Sequence, residues 1–117
     1  MKTIEKDIEF ARGDTFPFTL TFEGLGQDLS TCYLTCRVEK DRESEMLFQK
    51  SLDNGISKVT DIPELEDTYR VRIAPEDTND LDLGQYYYDV EIGVNHDIYT
   101  VLRGKLKLTW EVTDRSE

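Results

Sequence analysis

From Tyr86 to Val94 every second residue is apolar: Tyr86, Tyr88, Val90, Ile92 and Val94 share one side of the alternation. Successive side chains of a β-strand point to opposite faces, so a period of two marks a strand with one buried face. The same period recurs along the chain. Cys32, Leu34, Cys36 and Val38 alternate with Tyr33, Thr35, Arg37 and Glu39. Phe16, Phe18, Leu20 and Phe22 share a face, as do Ile8 and Phe10, and Tyr69, Val71 and Ile73. Near the end Leu106, Leu108, Trp110 and Val112 are expected on one apolar face. No window sustains the 3.6-residue period of an amphipathic helix.

Turn chemistry cuts these runs into elements. Arg12-Gly13-Asp14 reads as a turn, and residues 23–30, with Gly24 and Gly26, as a loop. Residues 40–45 are almost all charged and form a solvated loop ahead of a short strand from Met46 to Leu52. Asp53-Asn54-Gly55 carries the Asn-Gly hairpin signal, because both turn positions tolerate positive φ, and residues 56–60 would be the return strand. Residues 61–67 are acidic, contain Pro63 and read as a loop; residues 76–84 form a connection with one helical turn. Asn95-His96-Asp97 is a tight turn, and Gly104 marks a bulge in the last strand. Pro17 cannot donate to a ladder, which places its strand at an edge or a bulge. The result is a single domain, residues 1–117, of about eight or nine antiparallel strands, the pattern of a sandwich or barrel.

Charge narrows the partners. The net charge is −11, and no window has three basic residues together. Binding to phosphate needs a basic patch to replace counterions, so nucleic acid and anionic membrane are poor partners for this chain. Charges interrupt the first residues, so no secretory signal peptide is expected, and no stretch approaches the length of a membrane-spanning helix. A chain made in a cytoplasm is the expectation.

Residue chemistry offers no catalytic constellation. Cys32 and Cys36 are four residues apart, about 13 Å along a strand, too far for a disulfide. They read as buried thiols. His96, the single histidine, sits in a polar turn. Residues 77–82 hint at calcium, but an EF-hand loop opening at Asp77 would have Leu81, Asp82 and Tyr88 at its fifth, sixth and twelfth positions, and the template fails. No metal and no cofactor are expected. Arg12-Gly13-Asp14 spells an adhesion tripeptide too short to carry weight. With 25 acids, chance carboxylate pairs are certain. Tyr86, Tyr88 and Trp110 fall on apolar faces and are expected in the core.

Asp82-Leu83-Gly84-Gln85-Tyr86-Tyr87-Tyr88 resembles the tyrosine corner of immunoglobulin domains, with Tyr86 bonding back to the backbone and Tyr88 where the disulfide cysteine would stand. Further motifs extend the likeness: Arg12-Gly13-Asp14-Thr15, Pro75-Glu76-Asp77-Thr78, the Leu81 to Val90 stretch, and Thr100-Val101 with Gly104, Leu106 and Leu108. In this order the chain resembles small immunoglobulin-like proteins of tailed bacteriophages and prophages, among them the N-terminal domain of baseplate upper proteins. The resemblance implies an immunoglobulin-like β-sandwich and a non-enzymatic structural or interaction part of a phage particle, tail or baseplate. It implies a place in the virion, with other phage structural proteins or further copies of itself as partners. Tyr33, Thr35 and Arg37 on one strand and Tyr87, Asp89 and Glu91 on another would then face solvent side by side, with Tyr33 and Tyr87 close together. The candidate interaction surface is Tyr33, Arg37, Tyr87, Asp89 and Glu91. Two other readings stand beside it: a carbohydrate-binding sandwich, which an exposed Trp110 would favour, and an enzyme with paired carboxylates.

Overall fold

The computed structural model describes residues 1–113. The chain is all-β apart from one helical turn. Its strands are β1 (Ile4–Glu5), β2 (Ile8–Ala11), β3 (Phe16–Thr21), β4 (Thr31–Arg37), β5 (Met46–Leu52), β6 (Gly55–Lys58), β7 (Thr68–Ile73), β8 (Gly84–Val94) and β9 (Asp97–Thr109), with α1 (Pro75–Thr78) between β7 and β8. They form one curled sheet in the order β1-β9-β8-β4-β5-β6-β7-β3, and β2 continues beside β9. The sheet is mixed rather than wholly antiparallel: β1 and β2 run parallel to β9, and β5 runs parallel to β6. A terminal segment that returns beside the last strand meets it in whichever direction it is travelling, and alternation carries no information on that direction.

Alternation does place the core. On β4 the residues Cys32, Leu34 and Cys36 are buried while Tyr33, Thr35 and Arg37 stay half-exposed. On β8, Tyr88, Val90 and Ile92 are buried, and on β9, Leu106 and Leu108. The curl brings these faces against Ile56 of β6 and Tyr69, Val71 and Ile73 of β7, so a single apolar cluster serves the whole sheet. Phe16, Phe18 and Leu20 of β3 pack at its margin. β3 pairs only with β7, with Pro17 opposite Arg72, so the proline lies on an edge strand as its missing N–H requires.

Two local expectations are corrected. Asn54-Gly55 makes no hairpin. A type I′ turn needs positive φ at both central residues, but here the positive values fall on Asp53 (65°) and Gly55 (98°). The chain turns a corner, touches β5 at two positions and leaves to pair antiparallel with β7. The two-residue turn with positive φ at both positions is Asn95 (51°) and His96 (69°), which joins β8 to β9 with Val94 opposite Asp97. The bulge in β9 is at Val101, not Gly104: Val90 faces Leu102 and Glu91 faces Thr100, leaving Val101 without a cross-strand partner on β8. Gly104 has a different role. A Cβ there would lie 2.2 Å from the Lys6 carbonyl oxygen, so the absence of a side chain lets the β1–β2 junction cross β9.

Trp110 and Val112 also depart from expectation. β9 ends at Thr109, and beyond it the side chains are 70% and 84% exposed. Period two continues in the sequence, but among the described residues no strand pairs with those positions to cover them.

Candidate functional site

Register decides what the outer face of β4 and β8 presents. Tyr33 stands opposite Glu91, Thr35 opposite Asp89, and Arg37 opposite Tyr87. All five candidate residues, Tyr33, Arg37, Tyr87, Asp89 and Glu91, are therefore on one face and half-exposed. Tyr33 and Tyr87 do not meet, contrary to expectation. They sit at opposite ends of the ladder, four residues apart in register, roughly 13 Å along the strands. Alternation assigns a face; only pairing assigns a neighbour.

At the Tyr87 end the face deepens into a groove of about 560 Å³. It is lined by Thr35, Tyr87 and Asp89 of the outer face, by Tyr88, by the charged 39–42 loop and by the Glu5–Asp7 and Arg103–Lys105 segments. Thus Arg37, Tyr87 and Asp89 share a groove, while Tyr33 and Glu91 lie outside it. The loop holds its shape through Ser44: its hydroxyl donates to the Asp41 carbonyl at 2.7 Å, and the Arg37 guanidinium donates to the Ser44 carbonyl at 2.8 Å. Lys40 extends over the Tyr87 ring, 5.5 Å from its centroid, a cation–π contact. Asp89 loses hydration here, which raises its carboxyl pKa; Glu91 pushes the same way, while Arg37 and Arg42 oppose.

The groove wall depends on the Gly104 crossing. The Lys6 carbonyl accepts the Tyr88 hydroxyl at 2.5 Å, and the Asp7 carboxylate accepts the Lys105 N–H at 2.9 Å. Burial first, then the Asp7 charge, pushes the Tyr88 phenol up to about 12. Tyr88 thus stands where a disulfide cysteine was expected to be replaced, and it tethers the N-terminal strands by a hydrogen bond. This tether was not foreseen; the only sequence signal for it is the glycine in an otherwise regular strand.

The other candidates fall elsewhere. Tyr86 donates its hydroxyl to the Asp82 carbonyl at 2.6 Å, the geometry of a tyrosine corner, though at an exposed carbonyl rather than a buried one. Cys32 and Cys36 are free and buried, and burial raises their thiols to about 11 and about 12. Nucleophilic thiolate is thereby disfavoured at both. The Asp77 carboxylate is committed to Lys50 at 2.7 Å and to the Ala74 N–H at 2.7 Å. Among the described residues no three histidine, cysteine or acidic side chains gather as a metal site. Arg12 pairs with Glu111 at 2.9 Å and donates to the Leu81 carbonyl at 3.0 Å, which ties the turn to the strand end. His96 is exposed in its hairpin turn. No protein-family model matches the chain, and no curated protein matches it.

Proposed function

We propose that the chain is a non-enzymatic structural and interaction module of a bacteriophage or prophage particle, a tail or baseplate component made in the host cytoplasm. The observation that carries this reading is the grooved outer face of β4 and β8, which gathers Arg37, Tyr87 and Asp89 under a charged loop. Tyrosine and arginine are enriched where protein partners bind, because they offer large contact area and directed hydrogen bonds. The immunoglobulin-like part of the reading rests on strand order. In such sandwiches strands C, F and G are neighbours in one sheet and D, E and B in the other. β4, β8 and β9 are adjacent in the first order, and β6, β7 and β3 in the second. The Tyr86 bond to Asp82 supports it further. The test is a Tyr33→Ser, Tyr87→Ser double variant, checked for native melting and then for incorporation into tail particles. Normal folding with lost incorporation is expected. A variant that folds and assembles as well as the parent removes this face as the interface, and the β3 edge becomes the next surface to test.

Carbohydrate binding is the second reading, and exposed Trp110 favours it. An indole face at the end of β9 is available for a sugar ring to stack on. A glycan array with the parent and Trp110→Ala separates the two: binding abolished by the substitution supports the sugar reading, and a blank array for the parent removes it.

A further inference from the structure

Three asparagines stand in the chain, Asn54, Asn79 and Asn95, and Asn54 alone precedes a glycine. The corner between β5 and β6 exposes both Asn54 and Gly55. Ser51 holds the Asn54 backbone: it accepts the Asn54 N–H at 2.9 Å and donates its own N–H to the Asn54 carbonyl at 3.0 Å. The Asn54 side-chain amide has no hydrogen-bond partner among the described residues.

The Gly55 N–H takes part in neither neighbouring ladder. On the β5 side the Asn54 and Ile56 carbonyls accept, from Ser51 at 3.0 Å and Asp53 at 2.8 Å, and that phase turns the Gly55 N–H away. On the β7 side the register begins with Ile56 opposite Val71, one residue beyond Gly55. A Cβ at position 55 would lie 2.7 Å from Lys50 Cδ, and φ there is 98°, so the corner selects glycine. An unhindered backbone nitrogen beside an unengaged amide is therefore a consequence of the fold as well as of the sequence.

We propose that Asn54 is a site of self-modification, where the corner converts an amide to a carboxylate through a succinimide. The Gly55 nitrogen, its proton taken by hydroxide, attacks Asn54 Cγ and closes a five-membered ring. The Cγ–Nδ2 bond breaks, and the leaving nitrogen takes a proton from water, which returns the hydroxide and releases ammonia. Water then opens the ring. Opening at Cγ leaves aspartate. Opening at the backbone carbonyl leaves isoaspartate, whose main chain runs through Cβ and is one carbon longer. The balance is one water in and one ammonia out. Nucleophile and electrophile belong to adjacent residues, so the attack is intramolecular and needs no encounter. Ring closure turns the Asn54 Cα–C bond and releases its carbonyl from Ser51, a local opening at the surface that leaves the core packed.

Each conversion adds a negative charge beside Asp53 on a chain of net charge −11. Isoaspartate also displaces Gly55 and pulls on Ile56, which is 1% exposed in the core and paired with Val71. The other asparagines are placed differently. Asn79 caps α1 in helical geometry, with its N–H donating to the Pro75 carbonyl at 3.1 Å. Asp80 and His96 follow Asn79 and Asn95, and their side chains crowd the attacking nitrogens.

Incubation of the intact chain at mildly alkaline pH, followed by peptide mapping with mass spectrometry, tests this. Residue 54 should lose its amide first, at a rate close to that of the same chain unfolded in urea. Isoaspartyl methyltransferase should label the aged parent and leave aged Asn54→Gln unlabelled. The isoaspartyl fraction should melt below the parent, and Asn54→Asp, which adds the charge without lengthening the main chain, should melt close to it. An Asn54 amide that persists in the folded chain but is lost in urea overturns the proposal, because the corner then shields it. Loss at Asn79 or Asn95 ahead of Asn54 overturns it too. An isoaspartyl fraction that melts with the parent overturns the coupling of the corner to β6.

Discussion

Asp89 lies half-buried on the outer face of β8, and lost hydration raises its carboxyl pKa, with Glu91 adding to the effect and Arg37 and Arg42 reducing it. The native state then binds more protons than the unfolded state between the ordinary carboxylate pKa and the raised one. Stability must fall as pH rises through that window, and the ionised group continues to oppose folding at neutral pH. Asp89→Asn should therefore melt higher than the parent at pH 7, with the difference disappearing at pH low enough to protonate the parent. A lower melting temperature at pH 7 would show that attraction to the arginines outweighs desolvation. The tyrosines give a second contrast. Tyr86→Phe removes the hydroxyl bond to the Asp82 carbonyl and should cost about 0.5–1 kcal/mol, the low end for a bond whose acceptor water can reach. Tyr87→Phe keeps the ring under Lys40 and loses only an exposed contact with Gln85 at 3.2 Å, so urea denaturation should show a smaller cost. Equal costs would refute the corner.

At the scale of strands, alternation was enough to read β4 and β8 from the sequence, because each has one face against the core and one against solvent. It also put the five candidate residues on a common face. It did not supply register, which is why Tyr33 and Tyr87 were expected together and are found opposite Glu91 and Arg37. It did not reveal where a strand loses its cover, which is why Trp110 was expected inside. The Asn54-Gly55 signal misled because the local preference for positive φ was met by a corner, driven by the pairing of β6 with β7. Gly104 is the element-scale test. Alanine there would drive a methyl group against the Lys6 carbonyl, a backbone atom that cannot rotate away. The expected cost is about 1–3 kcal/mol, the range for overpacking. Hydrogen exchange should localise the damage: the Lys6 amide, which donates to the Arg103 carbonyl at 2.9 Å, should lose protection while β4 amides keep theirs. Protection unchanged at Lys6 would mean the junction does not rest on this glycine.

For the whole molecule, the balance between repulsion and pairing sets the response to salt. Twenty-five acids face fourteen bases, leaving a net charge of −11. The ion pairs Arg12–Glu111, Lys58–Asp28, Arg70–Asp61 and Arg103–Glu5 are solvent-accessible, and such pairs contribute about 0–1 kcal/mol each. Among the described residues only Lys50–Asp77 is a largely buried pair, shielded from added ions. Screening should therefore remove more repulsion than attraction, and the melting temperature should rise between about 0.01 M and about 0.15 M sodium chloride, as the Debye length shortens from about 30 Å to about 8 Å. Divalent ions separate this general effect from a specific site. A calcium site filled at 100 times its Kd would add about 2.7 kcal/mol, roughly 10 °C for a chain this size. The Asp77 carboxylate is already held by Lys50 and the Ala74 N–H, so the 77–82 loop would have to break those bonds to bind the ion. Calcium and magnesium at matched ionic strength should then give the same melting temperature. A calcium-specific rise of several degrees, reversed by chelator, would place a metal site in the loops, and a melting temperature that falls with sodium chloride would show that the ion pairs outweigh the net charge.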